Sequence, residues 1–384
     1  MEPINLFVPT FRVEECLAEI RECLEKGWTG LGFKTVQFEE AWKNYTRLPH
    51  AHFVNSATAG LHLAVRLLKE AEQWNAGDEV ITTPFTFVST NHVLLYEALR
   101  PVFADIDDHL CLDPDSVRER ITSRTRAVMF VGLGGNVGQL GEIARICQEK
   151  RLRLILDASH MAGTRHGGMH VGAQADVAVF SFHAVKNLPT ADSGMVCFSD
   201  GHLDQEARKW SWLGIGKDTY ARTVEKAGSY RWYYDVEHEG FKYHGNSIMA
   251  AIGLVQLKYL DCDNAYRRRV AGWYDELLDG DPRIGRIPVP SDCESARHLY
   301  QVLVDRRDEV MARMNQAQIF PGVHYRDNTV YRMYNYAAGI CPRAAQASDR
   351  VISLPMHLRL MQADVQRVAE ALQRACTSRE GQPL

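Results

Sequence analysis

Hydrophobic and polar positions along the first two thirds of the chain follow two alternating patterns. Short apolar runs bounded by turn residues are typical of buried strands, and apolar positions at helical spacing are typical of the helices that cover them. The predicted strands are residues 52–54, 79–83, 100–104, 127–131, 152–156, 177–182 and 195–198. The predicted helices between them are residues 59–71, 89–97, 114–121 and 141–150. Strands that alternate with helices predict an α/β fold with a largely parallel sheet.

The pattern changes after residue 245. It predicts a helix over 247–260, a break, a second helix over 264–278, a strand over 299–304, and helices over 307–317 and 361–376. These elements predict a smaller α+β domain, so that residues 13–260 form the large domain and residues 261–384 the small one. Residues 1–12 are expected to pack with the small domain, and the polar tail 377–384 is expected to be frayed.

Composition narrows the function classes. A chain of 384 residues is long enough for two domains, and a net charge of −4 gives no general case for binding nucleic acid or an anionic membrane. No apolar run approaches the ~20 residues of a membrane helix, and the N-terminus lacks the basic and apolar regions of a signal peptide. The nine cysteines include no C-x-x-C pair, so zinc spacing is absent, and we expect reduced thiols in a cytoplasmic protein.

Two charged residues follow buried strands. Asp157 comes directly after the run 152–156, and Lys186 comes shortly after the run 177–182. A lysine after a strand is by itself most often a solvated loop residue. A carboxylate at the end of a buried strand, however, requires a partner. The two together suit pyridoxal phosphate (PLP), whose aldehyde forms a Schiff base with a lysine and whose pyridinium nitrogen pairs with an acid.

Other residues at strand ends fit the same cofactor. Small residues at 55–60 stand where a strand gives way to a helix, and there Ser56, Thr58 and the helix dipole suit a phosphate, although an ordinary helix cap is the default interpretation of this segment taken alone. Ser181 offers a further hydroxyl. Phe87 is placed to stack on a flat ring, although a core phenylalanine is the default interpretation. His183 suits substrate binding or proton transfer, or packing in the core. All of these lie at the carboxyl edge of the predicted sheet, where open α/β sheets bind ligands.

The sequence also resembles a known family, the DegT/DnrJ/EryC1/StrS aminotransferases, which are sugar aminotransferases of PLP fold type I. The matching segments include GDEVI at 77–81, DASH at 157–160 and SFHAVKN at 181–187. The others are at 86–87, 102–107, 245–246, 250–253, 256–257, 324–325 and 354–355. The resemblance runs in order along nearly the whole chain. It implies a seven-stranded, mostly parallel sheet in the large domain and a homodimer with shared active sites.

The resemblance also implies roles for individual residues. Lys186 is the implied Schiff-base lysine and proton carrier, Asp157 the partner of the pyridine nitrogen, and Phe87 the stacking ring. His160 is implied to bind the phenolic oxygen of the cofactor, and Ala57, Thr58 and Ser181 to hold its phosphate. Asn246 is implied to contact the phosphate of the neighbouring subunit. The residues implied to contact the substrate are His183, His324 and Tyr325.

Two segments depart from the family pattern. The chain reads ADSG at 191–194 where relatives commonly have GEGG. It reads GLGGN at 132–136 where relatives often have a histidine in the turn after the strand. Both segments are expected near the pocket, so they affect the identity of the substrate rather than that of the cofactor. The retained Lys186 disfavours the sugar-dehydratase branch, which has histidine at this position.

The implied reaction transfers an amino group from glutamate to a keto sugar, most often nucleotide-linked, for a surface polysaccharide or secondary metabolite. A free keto-sugar acid of eight carbons is an alternative acceptor. Six late arginines are candidates for an anion clamp but are more often solvated: Arg267, Arg268, Arg269, Arg297, Arg326 and Arg332. A PLP lyase or dehydratase, a PLP-binding regulator and a purely structural protein remain open alternatives.

Overall fold

The computed structural model of the chain describes residues 2–216 and 234–377. Its strands are β1 (Ile4–Asn5), β2 (His52–Val54), β3 (Glu79–Thr82), β4 (Arg100–Phe103), β5 (Thr125–Val131), β6 (Arg153–Asp157), β7 (Arg165–His166), β8 (Met169–His170), β9 (Val177–Ser181), β10 (Gly194–Phe198), β11 (Gly285–Arg286), β12 (Cys293–Glu294), β13 (Tyr300–Leu303), β14 (Ile319–Phe320) and β15 (Val351–Leu354). Its helices are α1 (Val13–Glu25), α2 (Phe33–Thr46), α3 (Ala57–Glu72), α4 (Val88–Tyr96), α5 (Pro114–Arg120), α6 (Leu140–Lys150), α7 (Gly201–Trp210), α8 (Ser247–Leu277), α9 (Arg307–Gln316), α10 (Pro342–Arg350) and α11 (Gln362–Thr377).

A seven-stranded sheet forms the centre of the fold, in the order β2-β10-β9-β6-β5-β3-β4. Strand β10 runs antiparallel to both of its neighbours, and the other pairs in the sheet are parallel. The predicted mostly parallel α/β sheet is therefore confirmed, as are its seven strands with small shifts at their ends. Because β6, β9, β5 and β3 are parallel neighbours, their carboxyl ends share one edge of the sheet.

Helices cover both faces of this sheet. Consecutive strand residues point to opposite faces. Phe180 accordingly packs in a core with Phe38 of α2, whereas Val179 packs in a second core with Leu61 of α3. The predicted helices between the strands are confirmed. Helices α1, α2, α7 and α10 are additional to those predicted. Helix α1 buries only two cysteines, and α2 buries charged residues beside its aromatic ones.

The long helix α8 corrects one prediction. Residues 247–277 form a single helix, with no break at 261–263. The polar residues at this point are held by neighbouring elements instead of ending the helix. Asp263 accepts two hydrogen bonds from the Arg12 guanidinium, at 2.6 and 2.7 Å, and the Asn264 amide donates to the Ala162 carbonyl at 2.9 Å. Polar residues in mid-helix thus mark packing partners that the sequence pattern does not show.

The C-terminal part builds a second core on a three-stranded antiparallel sheet, in the order β11-β13-β15. This core includes Val270 of α8, Val302 of β13 and Leu372 of α11, together with Ile4 from the N-terminal segment. Strand β1, which contains Ile4, pairs with β14. The division into residues 13–260 and 261–384 stays a prediction. Residues 378–384 of the polar tail lie outside the described residues.

Within residues 2–216 and 234–377, no helix has both the length and the apolar character needed to cross a membrane.

Candidate active site

A cavity of about 410 Å³ opens at the carboxyl edge of the central sheet. Ten of the predicted site residues line it: Ala57, Thr58, Phe87, Asp157, His160, Ser181, His183, Lys186, His324 and Tyr325. The first eight come from the strand ends and helix starts of the large sheet. His324 and Tyr325 follow β14 in the C-terminal part and close the cavity from the other side.

Asp157 is buried at the end of β6 and is fixed by hydrogen bonds. One carboxylate oxygen accepts from the Thr90 hydroxyl at 2.8 Å. The other accepts from the Ser159 hydroxyl at 2.6 Å and from the Ser159 backbone N–H at 3.1 Å. Three donors hold the carboxylate in one orientation. The acid therefore has a fixed position at the cavity, where it can pair with a protonated ring nitrogen.

Lys186 extends into the same cavity from the loop after β9. Burial lowers the pKa of its amine to about 8, even though the negative charge of Asp157 acts to raise it. A lysine with such a pKa has a substantial fraction of free amine near neutral pH, which is the form that attacks a carbonyl. Its Nζ lies 3.5 Å from Nε2 of His298.

The start of α3 has free backbone N–H groups beside the cavity, as an anion site requires. Ser56 caps the helix, and its hydroxyl accepts from the Ala59 N–H at 3.1 Å. The other N–H groups of a first helical turn have no acceptor within their own helix, and the helix dipole favours an anion there. Gly194 of β10 lies directly beneath this turn, since an added Cβ would stand 2.9 Å from the Ala57 nitrogen. Small residues thus keep the approach to the α3 start open.

His160 is held in one tautomer. Its Nδ1 accepts from the Gly134 backbone N–H at 3.1 Å, so the proton of the neutral ring is on Nε2, which lies 3.2 Å from the Tyr325 hydroxyl. Burial, followed by the nearby charge of Lys186, lowers the pKa of His160 well below its usual value. The expected contact between His160 and the cofactor's phenolic oxygen stays a prediction.

Phe87 and His324 stand at the mouth of the cavity. Phe87 is 56% exposed, and its ring lies 5.9 Å from that of Tyr325, tilted by 50°. His324 contacts the Ser353 hydroxyl through Nδ1 at 2.9 Å, and burial lowers its pKa to about 4. Both side chains can therefore contact a flat, uncharged part of a ligand. His183 is exposed in the lysine loop on the same rim.

Asn246 is not among the described residues that line this cavity. It caps α8, where its side-chain oxygen accepts from the Met249 N–H at 2.9 Å. Its expected contact is with a neighbouring subunit, and that expectation stays a prediction.

The chain departs from the family pattern at residues 132–136. The first residue of this segment, Gly132, has no space for a side chain. A Cβ on Gly132 would lie 1.9 Å from the sulfur of Met161. The histidine that relatives often carry in this turn would therefore clash here unless Met161 moved. Gly134 uses its backbone N–H to hold His160 instead.

Sequence reasoning missed several residues of the site. His298 and Phe7 line the cavity, and Thr90 orients Asp157. His298 precedes a strand of the C-terminal sheet and Phe7 belongs to the N-terminal segment, so no local motif points to either. Thr90 follows Phe87 by three residues, and its position at the start of a helix beside the acid was the available signal. The described residues contain no cluster of three histidine, cysteine or acidic side chains that could hold a metal.

Comparisons with known proteins agree with this arrangement. The family described as the DegT/DnrJ/EryC1/StrS aminotransferases matches residues 11–373. The spore coat polysaccharide biosynthesis protein SpsC of Bacillus subtilis is 34% identical over 371 residues, which cover 94% of each chain.

Solved structures are similar throughout their length. The aminotransferase TlmJ of Streptoalloteichus hindustanus is 31% identical, with a TM-score of 0.88 over 97% of this chain and 98% of its own. The putative sugar aminotransferase Spr1654 of Streptococcus pneumoniae, in its PLP form, is 27% identical, with a TM-score of 0.88 over 97% and 98%.

The fold and the site define a PLP-dependent aminotransferase of fold type I. The chain belongs to the DegT/DnrJ/EryC1/StrS family of sugar aminotransferases.

Proposed function

We propose that this sugar aminotransferase takes an amino group from glutamate and delivers it to a nucleotide-linked keto sugar. One observation carries the proposal. A lysine whose pKa is about 8 shares a cavity with a buried carboxylate that three hydrogen bonds hold in place. This pair is the minimum that PLP-dependent transamination requires of a protein.

The residues of the cavity fit the cofactor. Ala57, Thr58 and Ser181 would hold the phosphate, Phe87 would cover the ring, and Asp157 would keep the proton on the ring nitrogen. When bound, PLP supplies an electron sink for the negative charge that develops at the α-carbon of the amino donor. Lys186 would hold the cofactor covalently in the resting enzyme, and its freed amine would then take the α-proton of the donor.

A groove beside the cavity supports a nucleotide-linked acceptor. This groove of about 880 Å³ shares Thr86, Phe87, His324 and Tyr325 with the cavity, and Arg307 and Arg326 line it further out. The Arg307 guanidinium is tied to Asp308 at 2.5 Å and to the Ser348 carbonyl at 2.8 Å. The Arg326 guanidinium lies 5.9 Å from the Tyr331 ring. A cation beside an aromatic ring suits a diphosphate followed by a base. A free keto-sugar acid is the second candidate, because the same arginine would pair with its carboxylate.

We also propose that the enzyme works as a homodimer. Asn246 caps α8 outside the described lining of its own cavity, so a role at a phosphate requires the cavity of a second copy.

The cofactor and the donor are tested with one preparation. Purified protein mixed with PLP should give the absorbance of lysine-bound cofactor, and borohydride reduction followed by peptide mapping should place the label on Lys186. Glutamate should remove this absorbance and release one equivalent of 2-oxoglutarate per site. Lys186→Ala should lose both signals. A band that forms but ignores glutamate would contradict the donor assignment, and release of ammonia in place of 2-oxoglutarate would indicate a lyase.

The acceptor is tested by competition. Nucleoside diphosphates should inhibit turnover of a nucleotide-linked keto sugar, and Arg326→Ala should weaken that inhibition much more than it weakens inhibition by a simple sugar acid. The opposite ranking would favour the sugar-acid acceptor.

A further inference from the structure

His298 is a buried histidine beside Lys186 for which neither the sequence nor the family resemblance gave a role. It is 1% exposed and precedes β13. Its ring stacks on Phe7 at 5.4 Å between centroids and 7° between planes, and it packs against His160 at 4.4 Å. Packing on both sides fixes the plane of the ring.

Its tautomer is set by Asn187, the residue after the lysine. The Asn187 amide nitrogen donates to the Ala296 carbonyl and to the Asn264 side-chain oxygen, each at 2.7 Å. Since a carbonyl can only accept, these two bonds use both amide hydrogens and assign the amide orientation. The Asn187 oxygen therefore faces Nδ1 of His298 at 3.0 Å, so Nδ1 must carry the proton.

The lone pair of His298 then lies on Nε2 and points to Lys186. The distance from Nε2 to the lysine Nζ is 3.5 Å, the long end of hydrogen-bonding range. Burial, followed by the nearby charge of Lys186, lowers the pKa of His298 well below its usual value. The ring is therefore neutral, and Nε2 can only accept from the lysine.

We infer that His298 is a positioning residue for Lys186: its Nε2 accepts one N–H of the lysine and so turns the remaining face of the amine toward the cavity. The inference rests on the proposed role of Lys186. The chain of bonds begins at the Ala162 carbonyl and passes through Asn264, Asn187 and His298 to the lysine. Helix α8 and the segment before β13 thus reach the amine through this chain of bonds.

Two amide substitutions separate this role from general packing. In His298→Asn the short side chain can still donate to Asn187 but cannot reach Lys186, whereas in His298→Gln the longer amide oxygen can. A lone pair stabilises the ammonium form more than the free amine, so its loss should lower the pKa of Lys186. Looser packing would admit water and raise that pKa.

The readout is competitive acetylation of the cofactor-free protein over a pH series, with mass spectrometry of the Lys186 peptide. His298→Asn should lower the labelling midpoint by about one pH unit, consistent with one charge-assisted hydrogen bond, and His298→Gln should restore it. His324→Phe is the matched control, since it changes another histidine of the cavity, and should leave the midpoint within a few tenths of a unit.

If His298→Asn does not fold, His298→Phe provides the same comparison with the acceptor removed. A midpoint that stays constant or rises when the acceptor is removed would overturn the positioning role. Because the labelling uses protein without cofactor, it is independent of whether Lys186 binds PLP. If Lys186 binds PLP but the labelling midpoint does not fall in His298→Asn, only the positioning role of His298 is refuted.

Discussion

The low pKa of Lys186 gives a quantitative prediction for cofactor capture. The amine is buried with one nearby carboxylate, and its pKa falls from 10.5 to about 8. This difference corresponds to about 3 kcal/mol of relative destabilisation of the ammonium form. At pH 7 roughly one lysine in ten is then a free amine, against about one in several thousand for a solvated lysine, a gain of roughly 300-fold.

Only the free amine attacks the cofactor aldehyde. The second-order rate of PLP capture by cofactor-free protein should therefore rise about tenfold per pH unit below 8 and level off above it. The rate can be followed by stopped-flow absorbance, after correction for the ionisation of PLP itself, which N-acetyl-lysine measures under the same conditions.

The pH dependence of the stability of the cofactor-free protein independently checks that folding lowers the pKa of Lys186. Between about pH 8 and the unfolded value of 10.5 the unfolded lysine holds a proton that the folded one has lost. This group's contribution to the free energy of unfolding should therefore rise with pH across that window, by up to about 3 kcal/mol, relative to Lys186→Met. A capture midpoint near that of N-acetyl-lysine, together with no difference in stability slope, would refute the assignment of a buried, activated lysine.

Four further substitutions test the surroundings of the site. Asp157→Asn should retain PLP but slow the half-reaction with glutamate by at least about 10²-fold in single-turnover absorbance, because a neutral amide cannot hold the ring proton; an unchanged rate would contradict the role of the acid. Thr90→Val removes the 2.8 Å bond to that acid and should slow the same step by about fivefold, from about 1 kcal/mol, while leaving the melting temperature nearly unchanged. Gly194→Ala places a methyl group 2.8 Å from the Phe180 carbonyl and 2.9 Å from the Ala57 nitrogen. It should weaken PLP binding by about tenfold or more in an equilibrium titration, whereas alanine at Gly272, whose Cβ would meet nothing within 4 Å, should have no effect. Glu39→Gln removes a buried carboxylate that accepts from half-exposed Arg208 and contacts buried His52, and should lower the free energy of unfolding by about 2 kcal/mol in urea, with the turnover of the folded fraction unchanged.

The seven strands of the large sheet could be predicted because the apolar pattern of each strand's own residues shows that it is buried. Residues 154–156 and 177–180 are apolar on both faces, as is typical of parallel strands covered by helices. Parallel neighbours also place their carboxyl ends at one edge of the sheet, so the sequence alone predicts that Asp157 and Lys186 lie close together.

The same reasoning failed where long-range contacts decide the outcome. The polar residues 261–264 look like a helix break, yet Arg12 and Ala162, far away in sequence, bind Asp263 and Asn264 and keep α8 continuous. His298 was missed for a related reason. Its neighbours in sequence resemble an ordinary strand start, and its partners Asn187 and Phe7 come from opposite parts of the chain.

The site therefore has two parts: residues of the large sheet, which the local sequence pattern predicts, and residues that the C-terminal part brings to the cavity. The acid, the α3 start and the lysine come from the large sheet, where short connections fix their spacing. Three side chains that line the cavity from its other side come from the C-terminal part: His298, His324 and Tyr325. His298 contacts the lysine, whereas His324 and Tyr325 line the groove. Changes at His298 should therefore alter the reactivity of the amine, and changes at the other two should alter the choice of acceptor. The C-terminal part is therefore where the substrate of this aminotransferase should be sought, beginning with the groove that Arg326 lines.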